Sequence, residues 1–183
     1  MTDQKSRRLP VKKIPATTYP MVVELPADIY EGIGKIVSAH AILETQVWET
    51  LFDISKLEYP IGRVLTRYQA AGERFKTIRR LLDLHGITPS MNTNQLFDQI
   101  ADCCDARDQF AHGVWMRVPP NNKLALRLTR GDYETPDGKA DRSFIPEATF
   151  LPDGYFDQMR RTILGTIEVV MKLKEEINAA IKS

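Results

Sequence analysis

Apolar side chains recur along most of this chain at alternating steps of four and three, the repeat that lines one face of an α-helix. The first run, Ile29, Ile33, Ile36, His40, Leu43, Val47, Thr50 and Ile54, predicts a helix from about Ala27 to Ser55. Pro26 suits the position before its first turn, and Asp28 favours the positive helix end. After a break at Pro60 and Gly62, the series Ile61, Val64, Tyr68, Ala71, Phe75, Ile78 and Leu82 predicts a second helix, which Gly72 bends and which Gly86 and Pro89 end. A third helix is expected over about Asn92–Arg117, with Leu96, Ile100, Cys103, Arg107, Phe110 and Val114 on its seam. The fourth covers about Asp153 to Ile181, on Phe156, Met159, Ile163, Ile167, Val170, Leu173, Ile177 and Ile181.

One segment breaks this rhythm. Between Pro119 and Pro152 the leucines Leu124, Leu126 and Leu128 alternate strictly, a polar stretch runs from Gly131 to Ser143, and Phe144, Ile145, Ala148 and Phe150 follow. Alternation of period two predicts a small β-hairpin there. The expected fold is therefore all-α: an antiparallel four-helix bundle over residues 27–183, with a hairpin insert at about 119–152 between its third and fourth helices. Residues 1–26 read as a flexible basic arm. Within residues 1–20, Lys5, Arg7, Arg8, Lys12 and Lys13 stand against Asp3 alone, and Pro10, Pro15 and Pro20 lie among them, the composition of a solvated arm.

Composition changes this picture little. The 183 residues are 43% hydrophobic and 27% charged with a net charge of +1, an ordinary globular balance that neither demands nor forbids an acidic partner. No apolar run approaches the roughly 18–20 residues needed to span a bilayer, so no membrane role is expected. Cys103 and Cys104 are adjacent, which is poor disulfide geometry, and they read as core packing in a reducing cytoplasm. Two adjacent cysteines and three scattered histidines make no metal-ligand set, and no cofactor is implied.

The candidate chemistry lies in Arg107-Asp108-Gln109-Phe110-Ala111-His112-Gly113. Asp108 and His112 are four residues apart and share a helix face, with Arg107 at its edge. A fixed cation, a carboxylate and a group that titrates near neutral pH suit a phosphodiester. Heptad counting also puts Arg107 on the buried seam, where a guanidinium needs a counter-charge or an opening for an anion. Glu44, beside seam residue Leu43, is the expected partner, and His40 lies one turn before it. A register-locking Arg–Glu pair without chemistry, and a His40 satisfied in the core, are the alternatives. Arg63, Arg67 and Arg74 fall on one side of the second helix, as a phosphate track or as a solvated face. His85, near a helix end, reads as structural.

The run from Arg107 to Trp115 resembles the Arg-Asn-x-x-Ala-His-Gly-x-Trp stretch of bacterial members of the HEPN superfamily, the higher eukaryote and prokaryote nucleotide-binding domains. The second position of the family motif is commonly Asn, Asp or His and is Asp108 here, and Glu44 matches a first-helix glutamate. The resemblance spans about Ala27–Ile181 in helix order, and only the short motif is specific. It implies a metal-independent endoribonuclease, a homodimer with its Arg107/His112 faces opposed, and in some relatives a toxin or defence effector under control of a second protein. On that reading Arg107, Asp108 and His112 are catalytic and RNA is the partner. Two other functions stay open: a non-catalytic RNA- or protein-binding module of the same fold, and a structural helical scaffold.

Overall fold

The structure is a computed structural model that describes residues 12–15, 20–127 and 147–182. Among them are five helices, α1 (Ala27–Ser55), α2 (Tyr59–Thr66), α3 (Ala71–His85), α4 (Thr93–His112) and α5 (Tyr155–Lys182). Four strands accompany them: β1 (Lys12–Pro15), β2 (Val114–Val118), β3 (Lys123–Arg127) and β4 (Glu147–Phe150). The mostly helical class is as expected. The chain forms two compact units, one of residues 1–33 with 108–155, the other of residues 34–107 with 156–183. No helix among the described residues is long and apolar enough to cross a membrane.

The second unit is helical, and its core follows the apolar periods closely. Ile36, Leu43, Val47 and Ile54 of α1, Phe75 and Ile78 of α3, Leu96 and Ile100 of α4, and Ile163, Val170, Leu173 and Ile177 of α5 are all buried. Removing that much apolar surface from water is the main favourable term holding the unit together. Phe75 stacks on Phe97, joining α3 to α4. Lys174 pairs with Glu49 at 2.7 Å and Asn178 donates to Asp53 at 2.9 Å, both with the same offset along the chain. That constant offset makes α1 and α5 parallel along this contact, which corrects the antiparallel arrangement expected of them.

The second expected helix is two helices. Its seam holds only from Ala71 onward, where Ala71, Phe75, Ile78 and Leu82 are buried. Val64 and Tyr68, counted on the same stripe, are 73% and 88% exposed. The reason lies at Gly62: a Cβ there would enter the ring of Phe52, so α2 approaches α1 through Gly62 and Thr66 and turns Ile61, Val64 and Leu65 outward. Arg67 caps α2, so Arg63, Arg67 and Arg74 do not share one helix face.

The third expected helix stops at His112 rather than Arg117. Asn92 starts it, its side-chain oxygen accepting from the backbone N–H of Asn94 and Gln95. At the other end, Gly113 donates to the carbonyl of Gln109 and turns the chain into β2. A Cβ on Gly113 would meet both that carbonyl and Leu126, so the joint demands glycine.

In the first unit, the expected hairpin is part of an antiparallel four-stranded sheet in the order β1-β4-β3-β2. β2 lies where helix was expected, because Val114, Trp115 and Val118 bring β-branched and aromatic side chains directly after the glycine. Trp115 faces Leu126 across the ladder, and Met116, Val118 and Ala125 form a small core with Phe150 packed on it. The residues from 128 to 146, which include Leu128, the Gly131–Ser143 stretch, Phe144 and Ile145, lie outside the described residues. Part of the expected arm is paired: Lys12–Pro15 are β1, and Met21 bridges Met116 beside β2, where Val22 donates to Trp115 at 2.8 Å. Residues 1–11 and 16–19 lie outside the described residues.

Candidate functional site in the last turns of α4

The helical repeat of α4 orders the motif. Its buried row runs Leu96, Ile100, Cys103, Ala106 and Phe110. Ala106 therefore takes the inward position that heptad counting gave to Arg107, and Arg107 is half-buried on the flank. Asp108 is half-buried and His112, one turn on, is exposed. One helix thus carries all three, with carboxylate and imidazole on a shared face. In the unit that contains His112, Phe110 meets the ring of Tyr155 edge-on at 5.8 Å, anchoring the helix beneath the motif.

The arginine buried in the helical unit is Arg74, only 3% exposed, and not Arg107. Its Nη1 lies 3.8 Å from Glu44 Oε1, so the described counter-ion of Glu44 is Arg74, where Arg107 was expected. The guanidinium carbon of Arg74 also sits 4.0 Å from the centroid of Trp48, and that of Arg63 sits 3.4 Å from the same ring. Burial pushes the pKa of Arg74 down, Glu44 acts against this, and the neighbouring charge of Arg63 adds to the lowering. The group stays protonated all the same, since guanidinium does not titrate in proteins. Arg74 Nε and Nη1 and Trp48 Nε1 have no hydrogen-bond partner among the described residues.

The three arginines read as a track therefore have three different settings. Arg74 is inside, Arg63 is half-buried between Trp48 and Tyr59, and Arg67 is exposed beside the ring of Tyr68 at 5.0 Å. His40 is buried, with Nδ1 at 3.9 Å from Glu44 Oε2 and Nε2 at 3.4 Å from Cys104 Sγ. Cys103 is core, as expected, while Cys104 is half-buried against that imidazole. Sequence reasoning missed both Trp48 and Cys104. The spacing His40, Glu44, Trp48 was the available signal for the first, because three residues at steps of four line one face. Nothing in the sequence marked Cys104 apart from its neighbour. Among the described residues, no group of three or more His, Cys, Asp or Glu could hold a metal ion. No protein-family model, curated protein or solved structure matches the chain.

Proposed function

We propose that the chain is a HEPN-like, metal-independent endoribonuclease, with α1, α3, α4 and α5 as its four-helix core and the last turns of α4 as its catalytic element. The observation that carries this reading is the exposed His112 one helical turn after Asp108, with Arg107 beside them. An imidazole can both accept and donate a proton, which suits removal of a ribose 2′-proton or protonation of the leaving 5′-oxygen. Arg107 offers forked donors to the charge that gathers on the phosphorane. Asp108 orients the imidazole or the ribose. The 2′-oxygen attacks phosphorus, the bond to the 5′-oxygen breaks, and the products are a cyclic phosphate and a 5′-hydroxyl. A two-fold dimer would pair two such motifs from one short stretch of chain, and a second protein would control a toxin or defence effector of this kind.

A non-catalytic RNA- or protein-binding module of the same fold is the second reading. It is favoured by Gly113 and Trp115, two residues of the motif that packing alone accounts for: Gly113 makes the helix-to-strand joint and Trp115 is buried on β2. Incubation of the protein with RNA in EDTA, beside His112→Ala, separates the two. Cleavage lost in the variant supports the enzyme. RNA binding that weakens steeply with salt, without cleavage, supports the module. Neither cleavage nor binding would leave a helical scaffold.

A further inference from the structure

The helical unit holds a second set of reactive side chains. Cys104 Sγ lies 3.4 Å from His40 Nε2, and the other ring nitrogen of His40 faces Glu44 at 3.9 Å. Thiol, imidazole and carboxylate stand in the order in which a nucleophile, its base and an orienting group act. His40 is 1% exposed, so packing holds its ring in place. Cys104, unlike its neighbour, is only half-buried.

Arg74 completes the set. It shares Glu44 with His40, the residue whose other ring nitrogen meets Cys104, so the guanidinium belongs to the same cluster. Its Nε and Nη1, buried and without a hydrogen-bond partner among the described residues, are donors that an oxygen atom would satisfy. The adjacent thiol has different surroundings. Cys103 is fully buried with Sγ 3.7 Å from Thr166 Oγ1 on α5, and burial pushes its thiol up to about 11. Of the two neighbours, only Cys104 has an imidazole beside it among the described residues, a setting that makes a thiol nucleophilic.

We propose that Cys104 is a peroxide-reactive thiol, activated by His40 and Glu44, with Arg74 binding the oxygen of the incoming peroxide. Proton transfer from Cys104 to His40 leaves a thiolate and an imidazolium, balanced by Arg74 and Glu44. The thiolate attacks one peroxide oxygen: a sulfur–oxygen bond forms and the oxygen–oxygen bond breaks. Sulfur is oxidised to the sulfenic acid, the peroxide is reduced, and the imidazolium proton passes to the departing hydroxide to give water. This site is separate from the last turn of α4 and does not rest on the ribonuclease reading.

The test treats the full chain with hydrogen peroxide at pH 7, traps sulfenic acid with dimedone, and locates the adduct by mass spectrometry. The adduct is expected on Cys104 and not on Cys103. Its rate should exceed that of free cysteine by about tenfold or more, because an ordinary thiol is only a few per cent thiolate at pH 7. His40→Gln should slow the reaction, and Glu44→Gln, at a partly exposed side chain, keeps the test decisive if the buried substitution fails to fold. Iodoacetamide labelling separates ionisation from access: the gap between the native chain and Glu44→Gln should be present at pH 7 and close at pH 10. An adduct on Cys103, a rate no greater than that of free cysteine, or a gap equal at both pH values would overturn the proposal.

Discussion

Arg74 meets Glu44 at 3.8 Å while its guanidinium lies on the ring of Trp48, so an arginine from α3 is inserted against the face of α1 that carries His40, Glu44 and Trp48. A cation so placed has lost its water, and its attraction to one half-exposed carboxylate offsets that loss only in part. Such a pair is expected to add little net stability.

Removing the two partners should therefore have unequal effects. Glu44→Ala leaves a buried cation and should cost about 2 kcal/mol, below the range for fully buried pairs because the carboxylate is partly hydrated. Arg74→Met fills similar space without a charge and should cost about 1 kcal/mol or less, including the lost contact with Trp48. Urea denaturation of both variants checks the order. Arg74→Met as the more damaging change would show that the pair contributes net stability.

Much of the fold was legible. The seam of α1 and its ends match the apolar repeat, because a long helix buried along one face shows its period directly. α5 was legible for the same reason. What hid the rest was local chemistry that periodicity does not carry. The count through Ile61, Val64 and Tyr68 continued across the break between α2 and α3, while α2 packs through Gly62 on Phe52, a residue of another helix. β2 sat inside an apparent helix because Val114 happened to continue the four-and-three rhythm, although Gly113 marked the joint. At the site, Asp108 and His112 could be placed from spacing alone. The burial of Arg74 could not, since it depends on Trp48 from α1 to receive it.

The break between α2 and α3 gives a stability contrast. Phe75→Ala, in the core, should cost about 3–5 kcal/mol. Val64→Ser and Tyr68→Ser, on the exposed stretch, should each stay within about 0.5 kcal/mol. A loss of several kcal/mol at Val64 would mean that α2 buries that face.

Gly113→Ala should destabilise the first unit by roughly 1–3 kcal/mol, the usual range for forcing extra atoms into a packed site, because the new methyl would press on the Gln109 carbonyl and on Leu126. Thermal unfolding measures it. No loss would mean that the α4–β2 joint adjusts freely.

Ser90 links stability to acid. Its backbone N–H donates to Glu176 at 2.8 Å and its hydroxyl donates to the other carboxylate oxygen, holding the Glu176 pKa below the ordinary value. A depressed carboxylate contributes stability that is present above its unfolded pKa and is lost as pH falls through the folded one. Ser90→Ala should therefore be less stable than the native chain at pH 7, by a fraction of 1 kcal/mol at this exposed site, and the difference should shrink below about pH 4. A difference that does not change with pH would assign the effect of Ser90 to the loop and not to the carboxylate.

The central claim rests on His112, and one assay bears on it most directly. Uniformly labelled RNA is incubated in EDTA with the native chain, with His112→Ala, and with an all-DNA strand as control, and circular dichroism monitors the fold. The ribonuclease account predicts cleavage of RNA alone, leaving cyclic phosphate and 5′-hydroxyl ends, and its loss in a folded His112→Ala. Cleavage that persists in that variant, or metal-dependent cutting of the DNA strand, would contradict it.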